Sequence, residues 1–284
     1  MVRIFDWITG TAVSLKGRRV ALTGSRGAFG KALQKELRQA KVKNIKPLVF
    51  GVDWTYEDYG QLAAIFQDID VLIIAHGTKV DKDAWQANYL SVLTLIELFK
   101  QTRESNKLGL MPEVWFVGSE AEVHGAWTSD MVSYVNTKRA VVPYCRGFYE
   151  DDTFIYRHIV PAAFQSSMGS ALVSAEWAAR STLWWIHRGA RYVPVTYTGL
   201  AFINFFRFLY WVTPKIIRTG AGDKPLAFVA AGFSTSTNKY QWRITVKQPL
   251  WKVEGLDHER FAALHNLIIE RGWTASDRSL SDLG

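Results

Sequence analysis

Apolar positions along this chain fall into short runs separated by segments with helical spacing. Residues 18–22, 47–53, 71–75, 114–117, 154–160 and 192–197 have strand character. Between them, residues 28–40, 56–67, 85–100 and 175–188 repeat apolar positions at helical spacing, as does a segment carrying Tyr134 and Lys138. Strands alternating with helices predict an α/β fold with a doubly wound parallel sheet. Past Tyr197 the pattern changes. Residues 199–212 are almost wholly apolar and aromatic, interrupted only by Asn204 and Arg207, which share one stripe of a helix. Fourteen residues of helix reach about 21 Å, short of a hydrocarbon core of about 30 Å. The segment therefore reads as a helix lying in a membrane interface, or as a buried helix covering the sheet or a dimer contact. Residues 226–233 and 240–246 then have strand character and 261–273 an amphipathic helical spacing, a small α+β module that must dock on something larger. The expected organisation is an N-terminal amphipathic segment (1–16), a main domain (17–198), an aromatic membrane-interface segment (199–219) and a C-terminal docking extension (220–284).

Composition narrows the partners. A length of 284 residues with 48% apolar and 21% charged residues suits one large packed domain with an appendix. A formal net charge of +8 alongside twelve tryptophans invites an anionic surface. There is no zinc-ligand spacing, no aromatic RNA-binding signature and no dense Lys/Arg block, so the expectation is a membrane interface and no nucleic acid. The opening segment, with Ile4, Phe5, Trp7, Ile8, Val13 and Leu15, lacks the long apolar core of a signal peptide. It reads as lying on a membrane or packing under the domain. A single cysteine, Cys145, in a helical segment, reads as a buried structural thiol of a reducing compartment.

The chemistry concentrates in two fragments. Thr23-Gly24-Ser25-Arg26-Gly27-Ala28-Phe29-Gly30 follows the first strand and opens the first helix. Strand, glycine turn and helix N-terminus together suit a dinucleotide pyrophosphate, because glycines admit the backbone closely and unpaired helix N–H groups favour anions. Tyr134-Val135-Asn136-Thr137-Lys138 places a phenol and an ammonium one helical turn apart on one face. The ammonium is expected to favour the phenolate, so that the tyrosine exchanges a proton at lower pH than usual. One spacing is short. From residue 18 to residue 75 there are 58 residues, whereas the three crossovers of a complete dinucleotide-binding half want roughly 75. One crossover near the second strand is expected to be shortened or missing. Asp53 is a candidate for the adenosine side, but lies 29 residues past Gly24 where the ribose-binding acid is expected about 20 beyond the motif. A helix N-cap supported by Thr55 and Glu57 is an equal reading.

In this order the fragments resemble the short-chain dehydrogenase/reductase family over roughly residues 15–197, with Gly24-x-x-Gly27-x-x-Gly30 similar to the spacing of atypical and extended members. The resemblance implies a Rossmann-like fold and NAD(P), with Thr23, Gly24, Ser25, Arg26, Gly27, Phe29, Gly30, Asp53, His76, Gly77, Lys138 and Pro161 around it. It implies Ser119 orienting a substrate oxygen, Tyr134 as general acid/base, Lys138 beside it and on the nicotinamide ribose, and Asn88 anchoring a relay water. Two positions depart: Ala75-His76-Gly77 replaces Asn-Ala-Gly, and Ala162 replaces the glycine after Pro161. Arg26, with Lys31 and Lys43, tilts the cofactor toward NADP, since a 2′-phosphate wants a cation; surface solvation explains these residues equally. Residues 7–16, Ala75-His76-Gly77 and residues 117–123 also look like a cyanobacterial-type group associated with a sterol-desaturase-like domain. That would imply the cytoplasmic side of a thylakoid or plasma membrane.

Several residues keep two readings. Glu120 and Glu122 face the substrate pocket or are helix-start carboxylates stabilised by the dipole. His76 and His124 read as loop residues, with no metal expected. Phe164, Met168, Trp177, Trp184 and Trp185 line a lipophilic pocket or pack in the core. Two functions follow: a membrane-peripheral NAD(P)-dependent oxidoreductase of a hydrophobic alcohol or ketone, or a catalytically silent reductase-like subunit or assembly factor of a membrane complex. A homo-oligomer suits either.

Overall fold

A computed structural model describes residues 13–103, 111–151 and 153–212. Within them the chain runs β1 (Arg19–Thr23), α1 (Ala28–Gln39), β2 (Asn44–Leu48), α2 (Gly60–Phe66), β3 (Val71–Ile74), α3 (Asp81–Trp85), a π-helical turn (Gln86–Leu90) and α4 (Ser91–Thr102). It continues through β4 (Glu113–Val117), 3-10 turns at Glu120–Glu122 and Ser129–Met131, α5 (Val132–Glu150), β5 (Ile155–Pro161), α6 (Ala175–His187), β6 (Tyr192–Val195) and α7 (Ala201–Val212). The strands form one parallel sheet in the order β2-β1-β3-β4-β5-β6. The doubly wound parallel sheet expected from the sequence is the observed architecture.

Side-chain alternation along each strand sorts the core into two layers. Ala21, Leu72, Ile74, Val114, Phe116, Tyr156, Val160 and Tyr192 face one cluster, with α2, α4 and α5. Val20, Leu22, Val71, Ile73, Trp115, Val117, Ile159, Val193 and Val195 face the other, with α1 and α6. Burial on both faces explains why these strands read as apolar runs rather than polar–apolar alternations. At the N-terminal edge of the sheet, Arg157 Nε donates to Glu113 Oε2 at 2.7 Å and Arg19 Nη2 to Asp70 Oδ1 at 2.9 Å. The C-terminal edge is left for the site.

Four local features differ from the sequence reading. The second strand is Asn44–Leu48 rather than 47–53, because the Asp53 carboxylate accepts the Val49 N–H at 2.7 Å and turns the chain back. β2 pairs only with β1, which is why Pro47, lacking an N–H, is tolerated within it. The next helix starts at Gly60, not 56, since Thr55 Oγ1 accepts from the Glu57 and Asp58 N–H groups and holds that stretch as a turn. Asp53 is therefore a turn-closing carboxylate and not the N-cap of α2. The predicted helix over 85–100 is two α-helices around a π-helical turn, a local widening of the kind often found at functional sites, and it carries Asn88 into the interior.

The aromatic helix α7 also differs. Asn204, expected on a polar stripe beside Arg207, is buried at 8% exposure, while Phe202 and Ile203 face outward. Aromatic packing sets this orientation. Phe208 meets Tyr149 at 4.7 Å and Tyr192 at 5.6 Å, and Tyr192 Oη donates to the Ala201 carbonyl at 2.6 Å. Ala201, Asn204 and Phe208 thus share the inner face. The structure gives α7 a docked position on β6 and α5, and no described helix is long and apolar enough to cross a membrane. The Arg207 side chain, residues 213–284 with the C-terminal extension, and residues 1–12 of the opening segment lie outside the described residues. Leu15, from the end of that segment, is buried in the α1–α6 layer.

Candidate active site

The glycine turn lies where β1, second in the sheet order, has β2 on one side and β3 on the other. This is the topological switch point at which such sheets bind ligands. Gly24 has φ of +68°, and a Cβ there would lie 2.5 Å from the Ala75 carbonyl oxygen. A Cβ on Gly30 would lie 2.2 Å from the Gly24 oxygen, so the turn and the first turn of α1 touch only because both residues are glycine. Gly27, at the N-cap of α1, is exposed, and no side chain caps the helix. Its first turn contains no acid, and Arg26 and Lys31 are exposed beside it. The result is a helix N-terminus open to an anion. Ser25 and Phe29 are buried, and Phe29 meets Phe164 at 5.5 Å.

Thr23, at the end of β1, ties the turn to the residues after β3. Its Oγ1 accepts the Ala75 N–H at 3.1 Å and lies 2.8 Å from His76 Nδ1. His76 Nε2 is 2.8 Å from Ser91 Oγ, whose proton goes to the Ala87 carbonyl, so Nε2 is the donor and Nδ1 the acceptor. Loss of solvent and the charge of Lys138 lower the His76 pKa to about 3, so the ring is neutral. A neutral imidazole thus acts as a strut between β1 and α4.

Ser119, Tyr134, Lys138 and Asn88 converge at this edge. Ser119 follows β4 and Tyr134 hydrogen-bonds to it. Lys138 Nζ donates to the Val117 carbonyl at 2.9 Å and stands 5.9 Å from the Tyr134 ring centre. Asn88 Oδ1 accepts the Thr78 N–H at 2.9 Å, and its Nδ2 donates to the Thr78 carbonyl at 2.7 Å and to Thr137 Oγ1 at 3.0 Å. A Cβ on Gly77 would lie 2.7 Å from Asn88 Oδ1 and 3.6 Å from Lys138 Nζ, so the backbone after β3 meets the tetrad directly. Pro161 ends β5 at the same edge, with Ala162 N–H donating to Val195. Asp53 stands apart in the turn after β2, its other oxygen 3.6 Å from Lys46.

The electrostatics correct one expectation. Tyr134 is not made more acidic: burial, and then the Glu122 carboxylate, raise its pKa, with Ser119 opposing. Burial lowers Lys138 to about 8, with Glu122 opposing, so the ammonium is still mostly charged at neutrality but loses its proton just above it. Glu120 and Glu122, expected at a pocket wall or as helix-start carboxylates, do sit in the first turn of the 3-10 segment after Ser119, and both are buried. Glu120 accepts from Thr198 Oγ1 at 2.7 Å and from the Ala201 N–H at 3.1 Å, anchoring the start of α7. Glu122 forms a capping box with Ser119 and pairs with His158, which the sequence reading missed. The Ser119-x-x-Glu122 spacing and a histidine inside the apolar β5 run were the available signals. His124 is a loop residue stacked on exposed Trp127 at 4.5 Å. Of the apolar candidates, Phe164, Trp177 and Trp185 pack against the α1–α6 layer, whereas Met168 and Trp184 remain exposed. No metal-holding cluster occurs among the described residues.

These shifts predict a stability maximum near neutrality. Unfolded histidines titrate near 6.5. Folded His76 binds fewer protons than the unfolded chain between about 3 and 6.5, so stability rises with pH there. Burial alone would lower His158, but Glu122 and Cys145 outweigh it and raise the pKa to about 10. The folded state then holds the extra proton above 6.5, and stability falls with rising pH, until Lys138 opposes the fall above about 8. Each limb is bounded by about 1.4 kcal/mol per pH unit per group. Calorimetric melts across this range should peak near pH 6.5, and a stability that climbs steadily to pH 8 would contradict the assignment.

No protein-family model matches the chain. A short-chain dehydrogenase from Burkholderia cenocepacia in complex with NADP superposes with a TM-score of 0.55 and 14% identity, covering 72% of this chain and 98% of that one. A Burkholderia phymatum enzyme of the same kind in complex with NAD gives 0.54 and 14%, covering 71% and 96%. The fold is that of the short-chain dehydrogenases/reductases. In sequence, a monoglucosyldiacylglycerol epimerase of Synechocystis sp. is 32% identical over 227 residues, covering 71% of this chain and 55% of its own length. The chain thus spans about half the length of the curated relative it matches. These similarities reach the short-chain dehydrogenase fold in general, not the narrower desaturase-associated group.

Proposed function

We propose that this chain is the nicotinamide-dependent unit of an enzyme that interconverts a secondary alcohol and a ketone on a lipid-borne substrate, with a glycolipid sugar hydroxyl as the preferred case. The observation that carries this is the convergence of Ser119, Tyr134 and Lys138, with Lys138 and Asn88 against the Gly77 backbone, at the sheet edge that also holds the glycine turn. The sugar substrate is suggested by the relative's name: inverting a carbinol centre requires oxidation to a ketone and reduction from the other face.

The residues fit a dinucleotide. Thr23, Gly24, Ser25, Arg26, Gly27, Phe29 and Gly30 would hold the pyrophosphate, Asp53, His76 and Gly77 would border the adenosine side, and Lys138 and Pro161 the nicotinamide side. When bound, NAD(P) supplies the hydride acceptor and donor. The chain's own side chains handle the proton. Tyr134 Oη exchanges it with the substrate oxygen, Ser119 Oγ orients that oxygen, and Lys138 Nζ stabilises negative charge developing there. Exposed Arg26 and Lys31 favour NADP, as cations for a 2′-phosphate. The nucleotide half is read as shortened, supported by only two crossovers, through α1 and α2, between β1 and β3. Membrane contact belongs to the same reading, supported by exposed Trp127, Leu172, Phe202 and Ile203.

The test is to incubate the full chain with NADP⁺ or NAD⁺ and vesicles containing monoglucosyldiacylglycerol. Reduced nicotinamide or inversion at one sugar carbon, lost in Ser119→Ala, supports the reading. Neither signal, in a protein that binds both cofactor and vesicles, rejects the sugar substrate.

A further inference from the structure

Behind the tetrad lies a buried chain of polar groups that the reaction itself does not require. Glu122 Oε1 accepts the Ser119 N–H at 2.9 Å and lies 3.1 Å from His158 Nε2 on β5. His158 Nδ1 reaches Cys145 Sγ at 3.2 Å on α5, and Tyr156 Oη is 3.3 Å from the same sulfur. Cys145 is seven residues past Lys138 and eleven past Tyr134, which places all three on one face of α5. The chain therefore joins the Ser119 turn, strand β5 and the helix that carries the acid/base pair.

Two observations set this apart from ordinary packing. A Cβ on Gly118 would lie 1.9 Å from Glu122 Oε1 and 2.6 Å from His158 Nε2, so the backbone before Ser119 is open only enough to admit this pair. Glu122 Oε2 is buried with no hydrogen-bond donor, although His158 Nε2 stands 3.1 Å away as its ion partner. A buried ion pair incompletely hydrogen-bonded is a poor source of stability, and such groups concentrate at functional sites.

We propose that Glu122, clamped by His158, is the positioning carboxylate of this site: it fixes Ser119 against Tyr134 and supplies the negative charge that faces the Tyr134–Lys138 pair. This rests on the function proposed above only for its benefit to catalysis. The charge relation itself exists in the free protein. The ionisable groups facing the chain are Tyr134, Lys138, Cys145 and Tyr149 on α5, Tyr156 on β5, and Tyr192, whose ring lies 6.0 Å from that of His158, on β6. Glu122 acts on both members of the pair in the same sense, favouring their protonated forms. Its loss should leave Lys138 neutral over more of the physiological range.

The test reads Lys138 directly, by NMR pH titration of lysine side-chain carbons in the ligand-free full chain, with the signal assigned by its absence in Lys138→Met. The wild-type midpoint should fall near 8. Glu122→Gln, nearly isosteric, should lower it by about one unit, while Glu122→Asp, which keeps the charge, should retain most of it. If Glu122→Gln fails to fold, Gly118→Ala, whose methyl displaces the carboxylate, should give the same downward shift. An unmoved midpoint in a folded Glu122→Gln protein, or equal shifts in the Gln and Asp variants, overturns the proposal. Because no nicotinamide or substrate is present, that result is separate from a failure of the proposed activity.

Discussion

Tyr134→Phe should lower turnover by about 10²–10⁴-fold, the range lost when a positioned general acid/base is removed. The phenol is raised in pKa by burial and by Glu122, so it is held as an acid that gives up its proton only to an oxygen becoming strongly basic. Ser119 and Lys138 cannot replace it, since a serine hydroxyl is a far weaker acid than a phenol and Lys138 Nζ is directed to the Val117 carbonyl. Stability should change by only about 1 kcal/mol, the net worth of the hydrogen bond to Ser119. Cofactor affinity should be nearly unchanged. A Phe variant retaining more than about a tenth of wild-type turnover would exclude Tyr134 as the proton carrier.

Gly24→Ala should be the most damaging single methyl in the nucleotide half. The left-handed conformation at φ +68° costs an alanine about 1–2 kcal/mol. The methyl would also sit 2.5 Å from the Ala75 carbonyl oxygen and 2.7 Å from the His76 nitrogen, an overpacking worth about 1–3 kcal/mol. Both partners are backbone atoms just past the end of β3 and cannot rotate away. A loss of about 2–5 kcal/mol corresponds to a fall in Tm of roughly 5–20 °C for a domain of this size. Relief would push β1 from β3 and spread the turn, so nucleotide binding should weaken in parallel. A melting temperature within about 2 °C of wild type would show that the turn is not packed as described.

Most of the sheet was legible because its strands are buried on both faces and carry their identity as apolar runs. The site residues were legible where their spacing is local: Gly24, Gly27 and Gly30 within one turn, Tyr134 and Lys138 within another. What was missed depends on contacts distant in sequence. Asn88 was named through the family resemblance, but the π-helical turn that carries it inward is announced by no periodicity. His158 meets Glu122 across 36 residues, and a histidine in a strand carries no mark of its partner. The acidity of Tyr134 was misjudged for the same reason, since the i+4 lysine is visible in sequence and the buried carboxylate is not. In α7 the count of apolar residues was right but the orientation was not, because Tyr192 and Tyr149 decide which face is inside.

The central claim is that this reductase fold still holds a dinucleotide on its glycine turn. The direct measurement is a fluorescence titration of the full chain with NADPH and NADH, comparing wild type with Gly27→Asp. Gly27 has φ of −69°, which any residue adopts, an aspartate is a favourable N-cap, and a Cβ there meets only the Gly24 carbonyl oxygen, at 3.3 Å, so the variant should fold with at most a small shift of the turn. Its carboxylate would stand where the pyrophosphate is expected. Micromolar binding to the wild type, weakened at least about tenfold in the variant, is the predicted result. No binding of either nucleotide to a folded wild-type chain would contradict it and would leave Ser119, Tyr134 and Lys138 as the remnant of a lost activity.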